Sequence, residues 1–320
     1  MALWRRLTRL VIPPRRALAA ALVLLMPLVA GAAAVAYVAG PAVTLAFLIG
    51  VVAGVPAATT ATSCAVRVGA GALFVAGAIG GTLTTSHPVI CAVLVMALAL
   101  AQGPLTQRAA GVAMFAPVIA AVFSSVAVPA SATTIGIGVA AGFLFLHATS
   151  LLLKVPRRPS PVATAVAWRH AAVFAVLAGP AVLVTRSLEL GHGYWLVLTL
   201  AAVLQPASAS CRMAARDRLT GTVTGVVLAI VLVLVLPPSI VLVVAAVCAV
   251  LTAGWGVSQD LERQTLFVTP VVVLLGSSGG LESGVELGME RLALTAVAAV
   301  LAVGAAAYLD HVERGQLETA

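Results

Sequence analysis

The side chains best suited to chemistry lie in one stretch of the second half of the chain. Tyr194, Trp195 and Thr199 open an apolar run, Gln205, Ser208 and Ser210 follow it, and Arg212, Arg216 and Arg218 come next. Hydroxyls leading to arginines suit an organic anion. The hydroxyls bind a carboxylate, and the guanidiniums concentrate it at a cytoplasmic mouth. Thr59, Thr60, Thr62 and Ser63 occupy the equivalent place in the first half, ahead of Arg67; Thr60 and Arg67 therefore join the substrate-binding candidates. Arginines at such positions also set membrane orientation, which is their plain alternative use.

Two residues are candidates for a proton site. His147 lies about two turns into an apolar run and is the most membrane-embedded titratable group; a histidine hydrogen-bonded between helices is the competing role. Asp260 stands at a cytoplasmic helix end, and none of the ten acidic residues falls at mid-membrane depth. Pro56 and Pro206 are expected to end the second helix of each half. Pro117 and Pro270 are expected within the fifth, where proline removes a donor and bends the helix. Short or proline-interrupted helices at matching positions point to a transporter's substrate site.

No soluble-enzyme constellation is present: no Walker loop, nucleophile elbow, HExxH or EF-hand sequence. The five histidines are scattered singly, and Cys64, Cys91, Cys211 and Cys248 lack CxxC spacing and read as small buried hydrophobes. The expectation is no enzyme, no metal and no cofactor. Gly221-xxx-Gly225 and Gly138-xxx-Gly142 each put two glycines on one helix face for close packing.

The elements that position these residues follow from composition. Of 320 residues 62% are hydrophobic and 9% charged, with mean hydropathy +1.15, against about 25% charged for a soluble domain. So few charges cannot coat a water-soluble globule. The net charge of +8 sits in short interruptions between apolar runs, so no nucleic acid partner is expected. The fold class expected is an all-α integral membrane protein of about twelve transmembrane helices. The spans are 17–38, 41–56, 68–84, 88–102, 109–128, 132–153, 170–187, 193–206, 219–236, 238–255, 264–279 and 287–308. With the N-terminus inside, 16 of the 18 basic residues are cytoplasmic and only Arg186 and Arg291 lie outside. Both termini are thus expected in the cytoplasm. A basic and apolar N-terminus also resembles a signal peptide, but this segment has a counterpart later in the chain.

That counterpart belongs to an internal repeat. Pro27, Pro56, Pro88 and Pro117 match Pro180, Pro206, Pro238 and Pro270 at offsets of 150 to 153 residues. Arg16 and Arg169, Gly71 and Gly221, and Ser124-Ser125 and Ser277-Ser278 keep the same register. Two tandem six-helix repeats of one orientation are expected. Residues 1–16 form a basic cytoplasmic N-terminus, 17–153 the first repeat and 154–169 a cytoplasmic linker. Residues 170–308 form the second repeat and 309–320 a cytoplasmic tail.

The ordered set Tyr194-Trp195…Thr199, Pro206, Arg212, Arg216 and Arg218-Leu219-Thr220-Gly221-Thr222-Val223-Thr224-Gly225, with Phe267-Val268-Thr269-Pro270 beyond, resembles the fusaric acid resistance (FUSC-like) family, also called aromatic acid exporters. The resemblance covers residues 190–280; in the first half Arg67, Gly69 and Gly71 echo the turn without its RxxGT sequence. It implies a bacterial inner-membrane permease exporting small organic, including aromatic, acids; with no ATPase motif in the sequence, an ion gradient is expected to drive the export. The implied partners are the lipid bilayer and the anion, and a homo-oligomer is compatible with this picture. The same arginines would also serve an anion-selective channel, and a non-transporting membrane scaffold subunit is the third class.

Overall fold

The computed structural model describes residues 11–61, 63–155, 160–206, 208–276 and 281–318. Among them the regular elements are helices: α1 (Arg15–Thr60), α2 (Cys64–Leu83), α3 (Pro88–Ala101), α4 (Gly103–Thr106), α5 (Phe115–Ser125), α6 (Ala132–Leu152), α7 (Thr164–Ser187), α8 (Tyr194–Val203), α9 (Ser208–Val235), α10 (Pro238–Val257), α11 (Leu261–Gly276) and α12 (Leu281–Glu318). Hydrocarbon cannot hydrogen-bond a backbone, so an apolar chain with this composition closes its amides within helices. Ser63 and Ser131 start α2 and α6 by accepting the amides of Val66 and Thr134, and proline opens α3 and α10, where its missing donor costs nothing. Among the described residues eight helices are long and apolar enough to cross a membrane, and α5 and α8 are shorter apolar helices. The protein is a multi-pass membrane protein.

Two proline expectations change. α1 is two arms, 15–39 and 41–60, separated at Gly40, whose φ of 82° and ψ of 177° only glycine adopts readily. These arms hold the expected spans 17–38 and 41–56. Pro56 does not end the second arm, which runs on to Thr60. Thr59 and Thr60 support that last turn by donating to the Val55 and Pro56 carbonyls at 2.9 and 2.7 Å. The expected span 109–128 shortens to α5, so Pro117 falls in a first turn, where it removes no helical bond. Pro270 does lie inside α11, and Pro206 follows the end of α8. Ser277-Ser278 of the repeat register lie outside the described residues, as do Pro156 and Pro159 of the linker.

The chain divides into two compact units. The first combines residues 1–27 with 212–300. Its apolar core is Cys248, Trp255 and Phe267, packed by Leu228, Val244, Leu251, Leu266 and Val271. The start of α1 docks there: Pro13 lies against Gly254, and Trp255 Nε1 donates to the Val11 carbonyl at 3.3 Å. Gly221 and Gly225 bring α9 onto the carbonyls of Glu262 and Leu266 in α11.

The second unit combines residues 28–211 with 301–320. Gly138 and Gly142 of α6 meet Ala46 and Phe47 of α1, and Gly50 meets the Val139 carbonyl in return. Gly77 and Gly81 bring α2 onto the carbonyls of Ala116 and Ala120 in α5. Phe74 and Phe143 stack edge-on at 5.6 Å between centroids, and Gly179 seats α7 against Met96 of α3. The linker is pinned by two backbone bonds, Ala110 to Ser160 and Val162 to Gln107, each 3.0 Å. Three cysteines are buried as expected; Cys64, at the start of α2, is exposed.

Glycine contacts this close set a steric limit. Gly142→Val would push a side chain into the Phe47 carbonyl, and overpacking costs about 1–3 kcal/mol. Purified Gly142→Val is expected to lose several degrees of Tm in detergent. Gly191→Val, with nothing within 4 Å of its added carbon, should match the wild type. Equal Tm values for the two variants would show that the α1–α6 contact is not what holds these helices.

Candidate anion site

The residues singled out from the sequence separate into three places. Tyr194 and Trp195 open α8, with ring centroids 5.2 Å apart and the indole buried. Thr199 is buried midway along α8. Gln205 and Pro206 stand past its other end. At 1.5 Å per residue the ten residues of α8 span about 15 Å, half of a hydrocarbon core. The tyrosine–tryptophan pair therefore stands a helix length away from Gln205.

At that far end the backbone leaves the helix at Leu204 (φ −72°, ψ 102°), and Gln205 Nε2 donates to the Ala202 carbonyl at 3.1 Å. Pro206 offers no amide. The residue that fastens this break is His170 of α7, whose Nε2 donates to the Leu204 carbonyl at 3.0 Å. Its Nδ1 is buried without a partner and is left as an acceptor. The sequence reading passed His170 over as one of five scattered histidines; its place one residue after the repeat-matched Arg169 was the only signal. In the first half Arg67 plays a similar part. Its Nε reaches the Ala61 carbonyl at 3.4 Å, across the break between α1 and α2. Thr60 spends its hydroxyl proton on Pro56, so toward a carboxylate it presents lone pairs and no donor.

The third place is the arm of α9. Ser210, Arg212 and Arg216 are exposed, and the side chain of Ser208 lies outside the described residues. Arg212 and Arg216 are four residues apart and share a face, whereas Arg218 is turned roughly 200° from Arg216. It is half-buried, with its Nη1 3.5 Å from Thr265 Oγ1 of α11 and its Nε shielded and unpartnered. Thr265 accepts that contact and keeps its own proton for another acceptor. Two arginines thus face out, as orientation signals do, and one faces the helices.

The proton-site candidates have local work. His147 Nδ1 donates to the Phe143 carbonyl one turn back at 2.9 Å, and the imidazole lies 4.2 Å from the Phe143 ring. Asp260 caps α11 by accepting the Arg263 amide through Oδ1, and its Oδ2 pairs with Arg263 Nη1, both at 3.0 Å. The Arg263 guanidinium in turn lies 4.5 Å over the Trp255 ring. Asp260 is therefore occupied as a cap and ion pair. Among the described residues no three His, Cys, Asp or Glu side chains gather to hold a metal.

Residues 179–305 match the family model described as fusaric acid resistance protein-like. The match contains α8 to α11 whole, so the resemblance carried by Tyr194–Gly225 and Phe267–Pro270 holds over the second half of the chain. No curated protein and no solved structure matches it.

The His170 bond generates a direct test. A neutral hydrogen bond contributes about 1 kcal/mol, so His170→Ala should lower Tm by a few degrees. It should also raise the labelling rate of a cysteine placed at Gln205. His170→Gln, which keeps a donor, should recover part of both. Unchanged labelling in His170→Ala would mean that the break at Leu204 holds itself.

Proposed function

We propose that this chain, fusaric acid resistance protein-like over its second half, is a permease that moves small organic acids across the bacterial inner membrane. It is a transporter and not an enzyme. It exports carboxylates by gradient-driven alternating access, without nucleotide hydrolysis, since the sequence holds no Walker loop. The observation that carries the reading is Arg218: an arginine turned off the orientation face of α9, half-buried, and in contact with a hydroxyl of α11. An ionisable side chain held within a membrane bundle is by default functional, and an arginine recognises a carboxylate.

The reading includes twelve crossings in two repeats. Eight long helices, the second arm of α1 and the short helices α5, α8 and α11 make twelve. Two sets of contacts support the repeat. In each half the third helix meets the fifth through glycines: α2 on α5 at Gly77 and Gly81, α9 on α11 at Gly221 and Gly225. In each half, too, the fourth helix holds the first helix of the other half. Gly103, just past α3, lies against Trp168 of α7, and Gly254 of α10 lies against Pro13 before α1. Gly103 and Gly254 are 151 residues apart, inside the offset of the proline register. Both termini are cytoplasmic in this arrangement.

Transport is tested in inverted membrane vesicles with benzoate, cinnamate and octanoate, with and without a proton gradient. Saturable, gradient-dependent uptake is the expected result. Ohmic single-channel currents would replace the permease by a channel, and silence in both assays would leave a scaffold subunit. Arg218→Ala should keep normal abundance, because Arg212 and Arg216 still orient the loop. Its substrate affinity should fall about tenfold to a hundredfold, the worth of one charge-assisted contact. Arg218→Lys should recover only part of it. Single cysteines near Arg108, Lys154 and Asp260 should label only from the cytoplasm; labelling near Asp260 from outside would break the twelve-crossing count.

A further inference from the structure

One helix of the second unit, α7, is tied near each end by a side chain to a backbone carbonyl on another part of the chain. Near its start, His170 Nε2 donates to the Leu204 carbonyl, where α8 breaks. In its last turn, Arg186 Nη2 donates to the Thr85 carbonyl, in the turn that joins α2 to α3. The partners are 34 and 101 residues away in sequence. Neither side chain is held at its next nitrogen, since His170 Nδ1 and Arg186 Nε are shielded and unpartnered. Among the described residues each tie thus rests on one hydrogen bond.

His170 and Arg186 stand sixteen residues apart, about 24 Å along a helix and most of the thickness of a hydrocarbon core. Sixteen residues also turn the helix by about 160°, so the two ties pull on nearly opposite sides. The contacts agree. Gly179, seven residues before Arg186 and on the same face, lies against Met96 of α3, while His170 faces the end of α8. Between the ties Pro180 lies inside the helix. It has no amide for the Val176 carbonyl, so α7 bends most easily there. A rigid α7, pivoting where Gly179 rests on α3, would open both ties together: swinging its start away from α8 swings its other end away from the α2–α3 turn. A joint at Pro180 lets either end move while the other stays tied.

We propose that α7 is a jointed gate helix with two latches. His170 closes the chain break at the end of α8, Arg186 closes the α2–α3 turn, and Gly179-Pro180 lets one latch open while the other holds. The inference rests on the permease reading, names the parts that alternate, and assigns His170 and Arg186 as positioning residues. In the twelve-crossing arrangement the His170 latch stands at the cytoplasmic face and the Arg186 latch at the opposite one. Both latches are shut in this structure.

The test is the rate at which a membrane-impermeant maleimide labels single cysteines in the full chain, with the four native cysteines replaced by alanine. Gln205→Cys reports the His170 latch in inverted vesicles. Thr84→Cys, at a site 8% exposed, reports the Arg186 latch in right-side-out vesicles. His170→Ala should speed labelling at position 205 about fivefold and leave position 84 unchanged. Arg186→Ala should speed position 84 about tenfold and leave 205 unchanged; the factors are those of one neutral and one charge-assisted bond. His170→Gln and Arg186→Lys, which keep a donor, should recover part of each loss. Pro180→Ala should stiffen the helix, so that His170→Ala then speeds both positions. Should an alanine variant fail to insert, His170→Phe and Arg186→Met, which keep bulk and lose the donor, carry the same expectations. Equal acceleration at both positions in either single variant is general loosening and overturns the latches, as does no acceleration at all. Sided labelling without flux of benzoate, cinnamate or octanoate supports the latches and overturns the permease reading. Flux with unsided labelling does the reverse.

Discussion

The close approach of a glycine to a carbonyl oxygen on the next helix is the contact on which the rest of the architecture depends. Lipid tails are as apolar as leucine, so helices in a bilayer gain little from burying apolar surface against each other. They associate instead by fitting tightly, and a missing side chain is what permits it. Gly142 on Phe47, Gly50 on Val139, Gly81 on Ala120, and Gly221 and Gly225 on α11 are all instances. Where the pairs are α9 with α11, the same contact sets the register that lines up Arg218 with Thr265.

Backbones this near leave little room for water, and the hydroxyls must then find partners inside the protein. Thr44, Thr60, Thr82, Thr106, Thr185, Thr252 and Thr269 all donate to the carbonyl four residues back. A threonine committed in this way is apolar in use. A hydroxyl-rich stretch of sequence is consequently a weak sign of an anion site. What matters is which hydroxyl keeps its proton, and that depends on a neighbour such as Arg218, which no spacing rule reports.

Composition and the order of the apolar runs were legible because each is local. The proline spacing could be read directly, but where each proline falls in its helix could not. Pro56 and Pro117 look alike in sequence, yet one lies near a helix end and the other in a first turn, since a proline's effect depends on where the helix starts. The separation of Arg212 and Arg216 from Arg218 was available from helical spacing alone. Gly77-xxx-Gly81 was equally available, and so was the four-residue spacing of Arg218 and Thr222, Thr265 and Thr269, Arg291 and Thr295. They were missed because on each helix these pairs stand among other polar residues, and only the helix they face gives them meaning. That facing is set only once the helices are given directions. His170 was hidden for a similar reason: its partner is a carbonyl 34 residues away.

Pro270 and Gly225 are best understood together. Proline at 270 cannot donate to the carbonyl of Leu266, four residues back, so that carbonyl is left without its helical partner. The same carbonyl is the one Gly225 approaches, so closely that a side chain at 225 would meet it. One residue thus empties a carbonyl, and another on a different helix packs against it. The missing bond also makes this the softest turn of α11, and it lies beside Thr265 and Thr269. A change of bend there moves both threonines relative to Arg218 while the apolar core around Cys248, Trp255 and Phe267 holds the opposite face of α11.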